Sequence, residues 1–546
     1  MINNLCNLIM IIDLIQNIVN YCERLKEQIN CSLINKDTYD NIYVYSLDDK
    51  KVDQDILERK IFSRLEILDC SSNKKINSVN HLKNTLKVLN CGGNECAVGQ
   101  NGITELVELK ILKCNYNSYI SNVNHLSNSL EELECTCISE CPSSIDQNGI
   151  AILEKLKRLV CAYNSNINSV NHLANTLEEL DCSGDCGIDQ NGISELKILK
   201  KLDCRYNSKI NEVNHIGWTL EKLSCGGSDI GDRGIRNLKK LKILEYGNDI
   251  KISFDGDGKL TAVKLSHNDH TKISNIDHLS DVLEELSCIA SGGECGINQK
   301  SISKLKKLKL LECCDNVNIH DLNHLADTLE YLDCSSGSSV DQKGISKLKK
   351  LSTLLCTNNI NITNVNHLAD TLKILGCEFK CGIDQSGISE LKKLEKLECM
   401  CNTKINNVNH LNNTLKRLLC TDSEIDQHGL SELNILEELF CNNNEKIIDV
   451  NHLAKSLRVL DCGRNCGIDQ FGISKLQKIR HIECGGNYKI NDVGYLSKTL
   501  KILLCDMTNI GQDDVAKLPR LKYIYAEKNP NISPEFIGKI MRHTTD

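Results

Sequence analysis

Aromatic residues, prolines and long apolar runs are all scarce in this sequence of 546 residues. Phe, Trp and Tyr make up 4% of the chain and there are only 4 prolines, as expected when Leu, Ile and Cys fill a thin, regular interior. Basic residues are not in excess either, since the formal net charge is −8. A nucleic-acid scaffold usually presents a basic face, so this charge argues against a nucleic-acid partner.

The sequence also lacks the marks of a signal peptide or a membrane span. The segment 5–19 is apolar but short, and Asp13, Gln16 and Asn17 interrupt it. It has no basic n-region, and it falls short of the roughly 20 apolar residues that cross a bilayer. We interpret it as part of a capping helix, with membrane-surface association or partner binding as alternatives, and we expect no membrane partner.

What the sequence has in abundance is the pattern Leu-x-x-Leu-x-Cys, as at 177–182 and again at 199–204. The pattern returns with a period of about 21 to 22 residues, within the range of about 20 to 29 residues that marks a leucine-rich repeat. Such units cannot bury their own apolar face and must stack on one another. The predicted fold is an α/β solenoid, a leucine-rich-repeat horseshoe or arc with a parallel β-sheet on the concave face and short helices or 3-10 turns on the convex face.

Cysteine is also abundant, with 31 residues, but its placement argues against disulfides. The repeated Cys lies two residues after a repeated Leu or Ile, so both side chains point to the same buried face of a strand. Stacked coils lie about 4.8 Å apart, and the side-by-side thiols of neighbouring coils are poor disulfide partners. They are expected to act as small core hydrophobes in a reducing, intracellular compartment.

Three regions follow from where the repeat runs. Residues 1–64 lie outside it and are predicted to form a mainly helical N-terminal cap. Residues 65–529 hold about 22 repeats in alternating 21- and 22-residue units, with an irregularity near 245–265. There the Asp-Gly-Asp-Gly segment 255–258 predicts a turn between two short strands, and it lacks the ligands of a calcium loop. Residues 530–546 are predicted to form a closing helix.

Polar residues and glycines of the turns have predicted structural roles. An Asn three residues after the strand Cys, such as Asn207, is expected to satisfy backbone groups of adjacent coils. The repeated glycine, such as Gly387, fits a turn that needs either positive φ or close backbone approach. The Ile-Ser-x-Leu segment after that glycine is predicted to form a short helix, with Ser near its start.

Two sets of residues raise the hypothesis of a metal site. A His recurs once in every double unit, and two stacked coils separate consecutive members by roughly 10 Å, too far for one zinc with bonds of about 2.1 Å. In pairs such as Cys182 and Cys186, one thiol is expected in the core and the other in a turn. Neither a phosphate loop, a nucleophile elbow nor a kinase signature is present. We therefore predict no catalytic residue, metal site or cofactor, and a chain that is not an enzyme.

The concave face is the predicted binding surface, because there the repeats differ. Residues between the inward Leu and Cys point outward and are mostly acidic, against only Lys113 and Lys264; an acidic stripe would steer a basic partner. Apolar residues at the same position in the C-terminal half suggest a binding hot spot, although single exposed apolar residues are common. The predicted partner-binding residues are Asp181, Asp203, Glu312, Asp333, Leu355, Glu398, Leu419, Phe440, Asp461 and Glu483.

Coils with Leu-x-x-Leu-x-Cys-x-x-Asn-x-x-Ile resemble leucine-rich repeats of the internalin and phosphatase-regulatory-subunit type. Coils with Gly-Ile-Asp-Gln-x-Gly-Ile resemble cysteine-containing repeats of F-box proteins. Together with Val-Asn-His-Leu-x-x-Thr-Leu, they resemble leucine-rich-repeat proteins of giant DNA viruses of the mimivirus type, over the whole repeat region 65–529. This resemblance implies a viral protein of the host cytoplasm. Residues 1–64 show no F-box pattern.

Two functions from different classes fit these observations. The preferred one is a non-catalytic scaffold that binds a protein partner of basic character on the concave face. The alternative is a substrate adaptor of a ubiquitin ligase, with residues 1–64 docking on the ligase core. We expect a monomer in either case.

Overall fold

The computed structural model describes residues 41–48, 52–137, 145–246, 253–254, 260–262, 272–290 and 295–543. These residues belong to two compact units. Unit 1 is Met1–Tyr246 with Leu265–Val282, and unit 2 is Gly247–Lys264 with Leu283–Asp546. The apolar segment 5–19 and the turn 255–258 lie outside the described residues.

Unit 1 is built from coils that each contribute one strand of three residues. Neighbouring strands pair in parallel without a register shift. The middle residue of each strand is a buried Leu, and the first and third residues point away from the core. The strands are Ser46–Asp48, Ile67–Asp69, Val88–Asn90, Ile111–Lys113, Glu132–Glu134, Arg158–Val160, Glu179–Asp181, Lys201–Asp203, Lys222–Ser224 and Ile243–Glu245.

Unit 2 repeats the same arrangement, again with parallel pairing in register. A separate antiparallel pair, Ser253–Phe254 with Leu260–Ala262, flanks the predicted turn and confirms the two short strands expected there. The parallel strands are Glu285–Ser287, Leu310–Glu312, Tyr331–Asp333, Thr353–Leu355, Ile374–Gly376, Lys396–Glu398, Arg417–Leu419, Glu438–Phe440, Val459–Asp461, His481–Glu483, Ile502–Leu504 and Tyr523–Tyr525.

Short helices return the chain from one strand to the next. The 3-10 helices are Lys60–Phe62, Asn80–Leu82, Gln100–Gly102, Asn124–Leu126, Asn148–Ile150, Asn171–Leu173, Asn191–Ile193, Asn214–Ile216 and Asp277–Leu279 in unit 1, and Asn323–Leu325, Asn366–Leu368, Asn409–Leu411, Asn451–Leu453 and Gly494–Leu496 in unit 2. The α-helices are Gln54–Leu57 in unit 1, and Gln299–Ile302, Gln342–Ile345, Gln385–Ile388, Gln427–Leu430, Gln470–Ile473, Gln512–Val515 and Pro534–His543 in unit 2.

The α-helices start earlier than the sequence pattern predicts. In Gln385–Ile388 the N-cap is Asp384, whose carboxylate accepts a hydrogen bond from the backbone N–H of Gly387. Ser389, the serine predicted near the helix start, is instead the C-cap. The reason is that Asp384 has an extended backbone and a side chain long enough to reach the third helical N–H, the geometry that an N-cap requires.

The repeated glycine allows neighbouring coils to approach closely. A Cβ atom on Gly387 would lie 2.2 Å from the carbonyl oxygen of Thr363 in the coil before it. Gly387 lies in a right-handed helix, so this residue does not need positive φ. Of the two reasons predicted for a glycine here, close backbone approach is therefore correct and positive φ is wrong.

The inward column of cysteines is confirmed. Each strand Cys in the described residues, such as Cys204 and Cys399, is 0% exposed and free. After the strand Ile243–Glu245, Tyr246 takes the position of the cysteine, and its hydroxyl accepts a hydrogen bond of 3.0 Å from the backbone N–H of Ile273. The thiols are therefore core side chains.

The repeated Asn also has its predicted role. The Asn207 side-chain amide donates hydrogen bonds of 2.9 Å and 3.0 Å to the carbonyls of Cys182 and Ile188 in the coil before it. Its Oδ1 accepts one from the N–H of Lys209. One buried amide thus satisfies three backbone groups that have no strand partner.

The ends of the described chain extend the coil pattern. Residues 41–48 and 52–64, the described part of the expected cap, contain the helix Gln54–Leu57 and the strand Ser46–Asp48, which pairs with Ile67–Asp69. At the other end, the helix Pro534–His543 contacts the strand Tyr523–Tyr525. No helix in the described residues combines the length and apolar character needed to cross a bilayer.

Candidate functional site

The first and third residues of every strand form what we call the outer sheet face, the face expected to be concave. All ten predicted binding residues occupy third positions. In unit 1, Asp181 and Asp203 are register neighbours. In unit 2 the strand pairing places eight of the predicted residues in one continuous row with Gly376.

The predicted residues are less accessible than expected. Each of the ten is half-buried, whereas the sequence interpretation assumes full exposure. The stacking of coils explains the difference: a Cβ on Gly376 would lie 2.9 Å from Leu355 Cδ2 and 3.4 Å from Glu398 Oε2. Side chains from the coils on either side therefore cover this glycine and shield one another from solvent.

The acidic stripe is also partly neutralised. Asp203 forms an ion pair of 2.6 Å with Arg205, and Glu398 forms one of 2.6 Å with Lys396. Neither cation occupies a third position: Lys396 is the first residue of its strand, and Arg205 follows the strand cysteine. A comparison of third positions in the sequence therefore does not include them. In these two coils the acidic side chain is therefore already paired within the chain, and partner binding by the acidic residues stays a prediction.

Neighbouring carboxylates repel each other in two places, although Arg205 partly offsets the charge in the first of them. In unit 1, burial and the neighbouring Asp203 carboxylate raise the pKa of Asp181. In unit 2, burial and the carboxylate of Glu483 raise the pKa of Asp461 to about 6. Glu483 is the register neighbour of Asp461. A cation supplied from outside would relieve the repulsion between these paired carboxylates.

Apolar and unsatisfied polar groups meet around Phe440. The ring of Phe440 lies beside Leu419 in register, and the guanidinium of Arg417 sits 5.1 Å from the ring centroid. Three side-chain atoms in the described residues are buried without a hydrogen-bond partner: Arg417 Nε, Asn442 Oδ1 and His481 Nε2. All three belong to coils no more than two places along the stack from the strand of Phe440. The coils around Phe440 therefore contain polar atoms that form no hydrogen bond with the described residues.

The repeated histidines are structural. Their Nε2 atoms lie 2.9–3.2 Å from a main-chain carbonyl oxygen of the coil before, so each ring donates a hydrogen bond there. Tyr495 takes the same place in a later coil and donates its hydroxyl to Ile473 at 2.8 Å. The histidines with this bond are His125, His172, His215, His278, His324, His367, His410 and His452.

Each turn thiol contacts the strand thiol of the coil before it. The sequence suggests instead the strand cysteine four residues earlier, as in the pair Cys182 and Cys186. Cys186 Sγ lies 3.8 Å from Cys161 Sγ of the coil before it. The equivalent contacts are Cys356–Cys381 at 3.6 Å and Cys441–Cys466 at 3.8 Å. The described residues contain no group of three or more His, Cys, Asp or Glu side chains that could hold a metal ion.

No protein-family model matches the sequence, and no curated protein matches it either. The chain is similar to solved structures, and we describe three of them. TLR13, in the crystal structure of its complex with ssRNA13, is 17% identical, with 84% of this chain and 81% of that chain covered and a TM-score of 0.47. The functional domain of InlJ from Listeria monocytogenes, described as including a cysteine ladder, is 19% identical over 78% of this chain and 75% of that chain, with a TM-score of 0.32. A leucine-rich-repeat protein of Leptospira interrogans is 17% identical over 84% of this chain and 96% of that chain, with a TM-score of 0.30.

Three features together define the architecture: the repeated short coil, one parallel strand per coil, and the buried columns of Leu and Cys. In fold, the chain is a leucine-rich-repeat protein.

Proposed function

We propose that this protein is a non-catalytic scaffold that holds a protein partner on the outer sheet face of unit 2. The observation that carries the proposal is the meeting of Leu419 and Phe440, register neighbours on this face, with the guanidinium of Arg417 over the Phe440 ring. Interface hot spots are built around aromatic and Arg anchors that become fully desolvated in the complex. A partner would therefore cover Phe440, Leu419 and the guanidinium of Arg417 that lies over the Phe440 ring.

The charge around this stretch favours a partner with a basic group. Asp461 and Glu483 are register neighbours, and the pKa of Asp461 is raised because burial and the second carboxylate disfavour its ionised form. A Lys or Arg of the partner placed between them would stabilise both charges. The regular, hydrogen-bonded coils below hold these groups in fixed positions, so little ordering is needed on binding.

We also propose that the protein is not an enzyme, that it is located inside the cell and that it comes from a virus. The enzyme prediction rests on the lack of a nucleophile or phosphate-binding motif in the sequence. The intracellular prediction is supported by the buried, free thiols, which are typical of reducing compartments. The adaptor function depends on residues 1–64, of which 1–40 and 49–51 lie outside the described residues.

The test is quantitative affinity purification with three proteins: wild type, Phe440→Ala and Phe471→Ala. Phe471 is the matched control, because it is 81% exposed and lies on the helix Gln470–Ile473 away from the outer sheet face. We expect a protein captured by wild type and Phe471→Ala to be lost from Phe440→Ala. Purified partner and scaffold should then show amide-exchange protection over residues 417–483. Equal capture by all three proteins would contradict the proposal.

A further inference from the structure

The residue immediately before each strand occupies a stacked position that we call the pre-strand row. In unit 2 the backbone N–H of each member donates to the carbonyl of the member in the coil before, as from Arg480 to Arg458 at 2.7 Å and from Lys501 to Arg480 at 2.8 Å. The side chains therefore follow one another at the coil spacing of about 4.8 Å. The row is Glu284, Lys309, Glu330, Ser352, Lys373, Glu395, Lys416, Glu437, Arg458, Arg480, Lys501 and Lys522.

Over most of this row, acidic residues compensate the basic ones. Lys309 pairs with Glu284 at 2.7 Å, and Lys416 pairs with Glu395 at 2.8 Å. The pattern also holds in unit 1, where the corresponding residues include Lys200 and Glu178, 2.7 Å apart. Within each unit, acidic residues of this row therefore compensate the charge of basic residues in neighbouring coils.

The compensation is missing at Arg480 and Lys501, near the C-terminal end of unit 2. Arg458 still pairs with Glu437 at 3.5 Å, but Arg480, Lys501 and Lys522 follow with no acidic residue between them. All four cations are exposed, and neither Arg480 nor Lys501 forms an ion pair with any described residue. Like charges on adjacent strands destabilise a sheet. This end of the row is thus unfavourable until an anion covers it.

We infer that Arg458, Arg480, Lys501 and Lys522, the basic row, bind an acidic segment of a protein partner. Charge complementarity sets the sign of the ligand. The same coils add further exposed cations beside the row. These are Lys455, Lys478, Lys498 and Arg520.

The neighbouring residues favour a polypeptide over a nucleic acid. On the outer sheet face next to the basic row lie Ile502 and Tyr523, the first residues of their strands. Asp461 and Glu483 are the third residues of the two strands before them. Those two carboxylates would repel a continuous polyanion. A polypeptide can place carboxylates over the basic row and apolar side chains over Ile502 and Tyr523. Carboxylates at i and i+4 of a helix are about 5–6 Å apart, close to the coil spacing of about 4.8 Å.

This inference is separate from the proposed function, because it rests on a different row of side chains. The test measures binding to the full-length protein by fluorescence anisotropy. The probes are a helical peptide with Glu and Leu on one face, oligothymidylate, and vesicles that contain phosphatidylserine. We expect the peptide to bind wild type, with an affinity that falls as salt is added.

The key variant is Arg480→Glu, which restores alternating charge between Arg458 and Lys501. We expect it to weaken peptide binding by about tenfold or more, while the thermal midpoint stays the same or rises because repulsion is removed. Lys347→Glu is the control, since it makes the same change in net charge at another exposed site in unit 2. It should leave peptide binding unchanged. If Arg480→Glu does not fold, Arg480→Gln with Lys501→Gln removes the charges instead.

Three results would overturn the inference: no peptide binding by wild type at low salt, equal weakening by Lys347→Glu, or tighter binding of oligothymidylate or vesicles than of the peptide. Phe440→Ala should leave peptide binding intact. Loss of the partner from Phe440→Ala together with unaltered peptide binding by Arg480→Glu would therefore reject the basic row and keep the proposed function.

Discussion

The Sγ atoms of Cys161 and Cys186 lie 3.8 Å apart although 25 residues separate them in sequence. Cys161 belongs to the column that follows the strands, and Cys186 lies in the turn of the next coil. In another coil the turn residue is a serine: Ser338 Oγ lies 3.9 Å from Cys313 Sγ. The turn position therefore requires a small side chain that can hydrogen-bond, whether through sulfur or oxygen.

This relationship predicts the effect of two substitutions in the turn. Cys186→Ser should change the free energy of unfolding by less than about 1 kcal/mol, because the hydroxyl can keep the contact with Cys161. Cys186→Val should cost about 1–3 kcal/mol, because an extra methyl group enters a close-packed site. Urea unfolding followed by circular dichroism measures both. A Ser variant less stable than the Val variant would mean that the thiol acts only as an apolar filler.

The cysteine column predicts a large effect for Cys204→Asp. Cys204 is 0% exposed, so the substitution buries a carboxylate without a partner, and we expect a loss of about 3–5 kcal/mol. Because repeat arrays can unfold in parts, amide exchange over coils 182–225 is the sharper measurement. Cys204→Ala is the control for lost volume alone and should exchange more slowly than the Asp variant. An Asp variant as stable as wild type would show that this side chain does not face the core.

The raised pKa of Asp461 predicts that Asp461→Asn stabilises the protein at pH 7. The pKa of this carboxyl is about 6 in the folded chain against an ordinary value of 3.8, so the folded state binds the proton more tightly. Stability contributed by the protonated form is present below pH 3.8 and is lost as pH rises through 6. Because Asp461 is only half-buried, we expect a gain of about 1 kcal/mol at pH 7 and almost none at pH 4.

Urea unfolding of wild type and Asp461→Asn at the two pH values checks this expectation. Asp203→Asn is the matched control, because its carboxylate is already paired with Arg205 at 2.6 Å. That variant should lose stability at pH 7 instead of gaining it. A gain for Asp461→Asn that is equal at both pH values would exclude ionisation as the cause.

The histidine row predicts a weakening of the fold in mild acid. Burial lowers the pKa of His410, with a smaller opposing contribution from its hydrogen bond to Ile388. The folded state therefore binds fewer protons than the unfolded chain, and stability falls as pH drops below the ordinary histidine pKa of 6.5. The same direction holds for the other histidines of the row whose pKa is lowered, so their effects add.

The chain itself offers the matching substitution. Tyr495 replaces the histidine in one coil and keeps the hydrogen bond to the coil before it. His410→Tyr should therefore unfold at the same urea concentration as wild type at pH 7 and at a higher one at pH 5.5. Unchanged acid sensitivity would show that His410 does not titrate differently in the folded and unfolded chains.

Local roles were predictable wherever they depend on a period within one coil. The spacing of two between the inward Leu and Cys places Cys204 in the core, and the position of Asn207 after the strand predicts its bonds to adjacent coils. Relationships between coils were harder. The shielding of Gly376 depends on side chains of the coils on either side, and the pairing of Cys186 with Cys161 depends on how far each turn advances along the stack.

The sequence by itself determined the repeat, the inward columns of Leu and Cys and the parallel pairing of strands, because a single repeat unit has too little apolar surface to fold alone. Only the tertiary structure decided which charges meet. Neighbours on the sheet surface are about 4.8 Å apart in space but a full coil apart in sequence. The pairing of Lys416 with Glu395, and the lack of an ion-pair partner for Arg480 among the described residues, therefore become visible only after the coils are stacked.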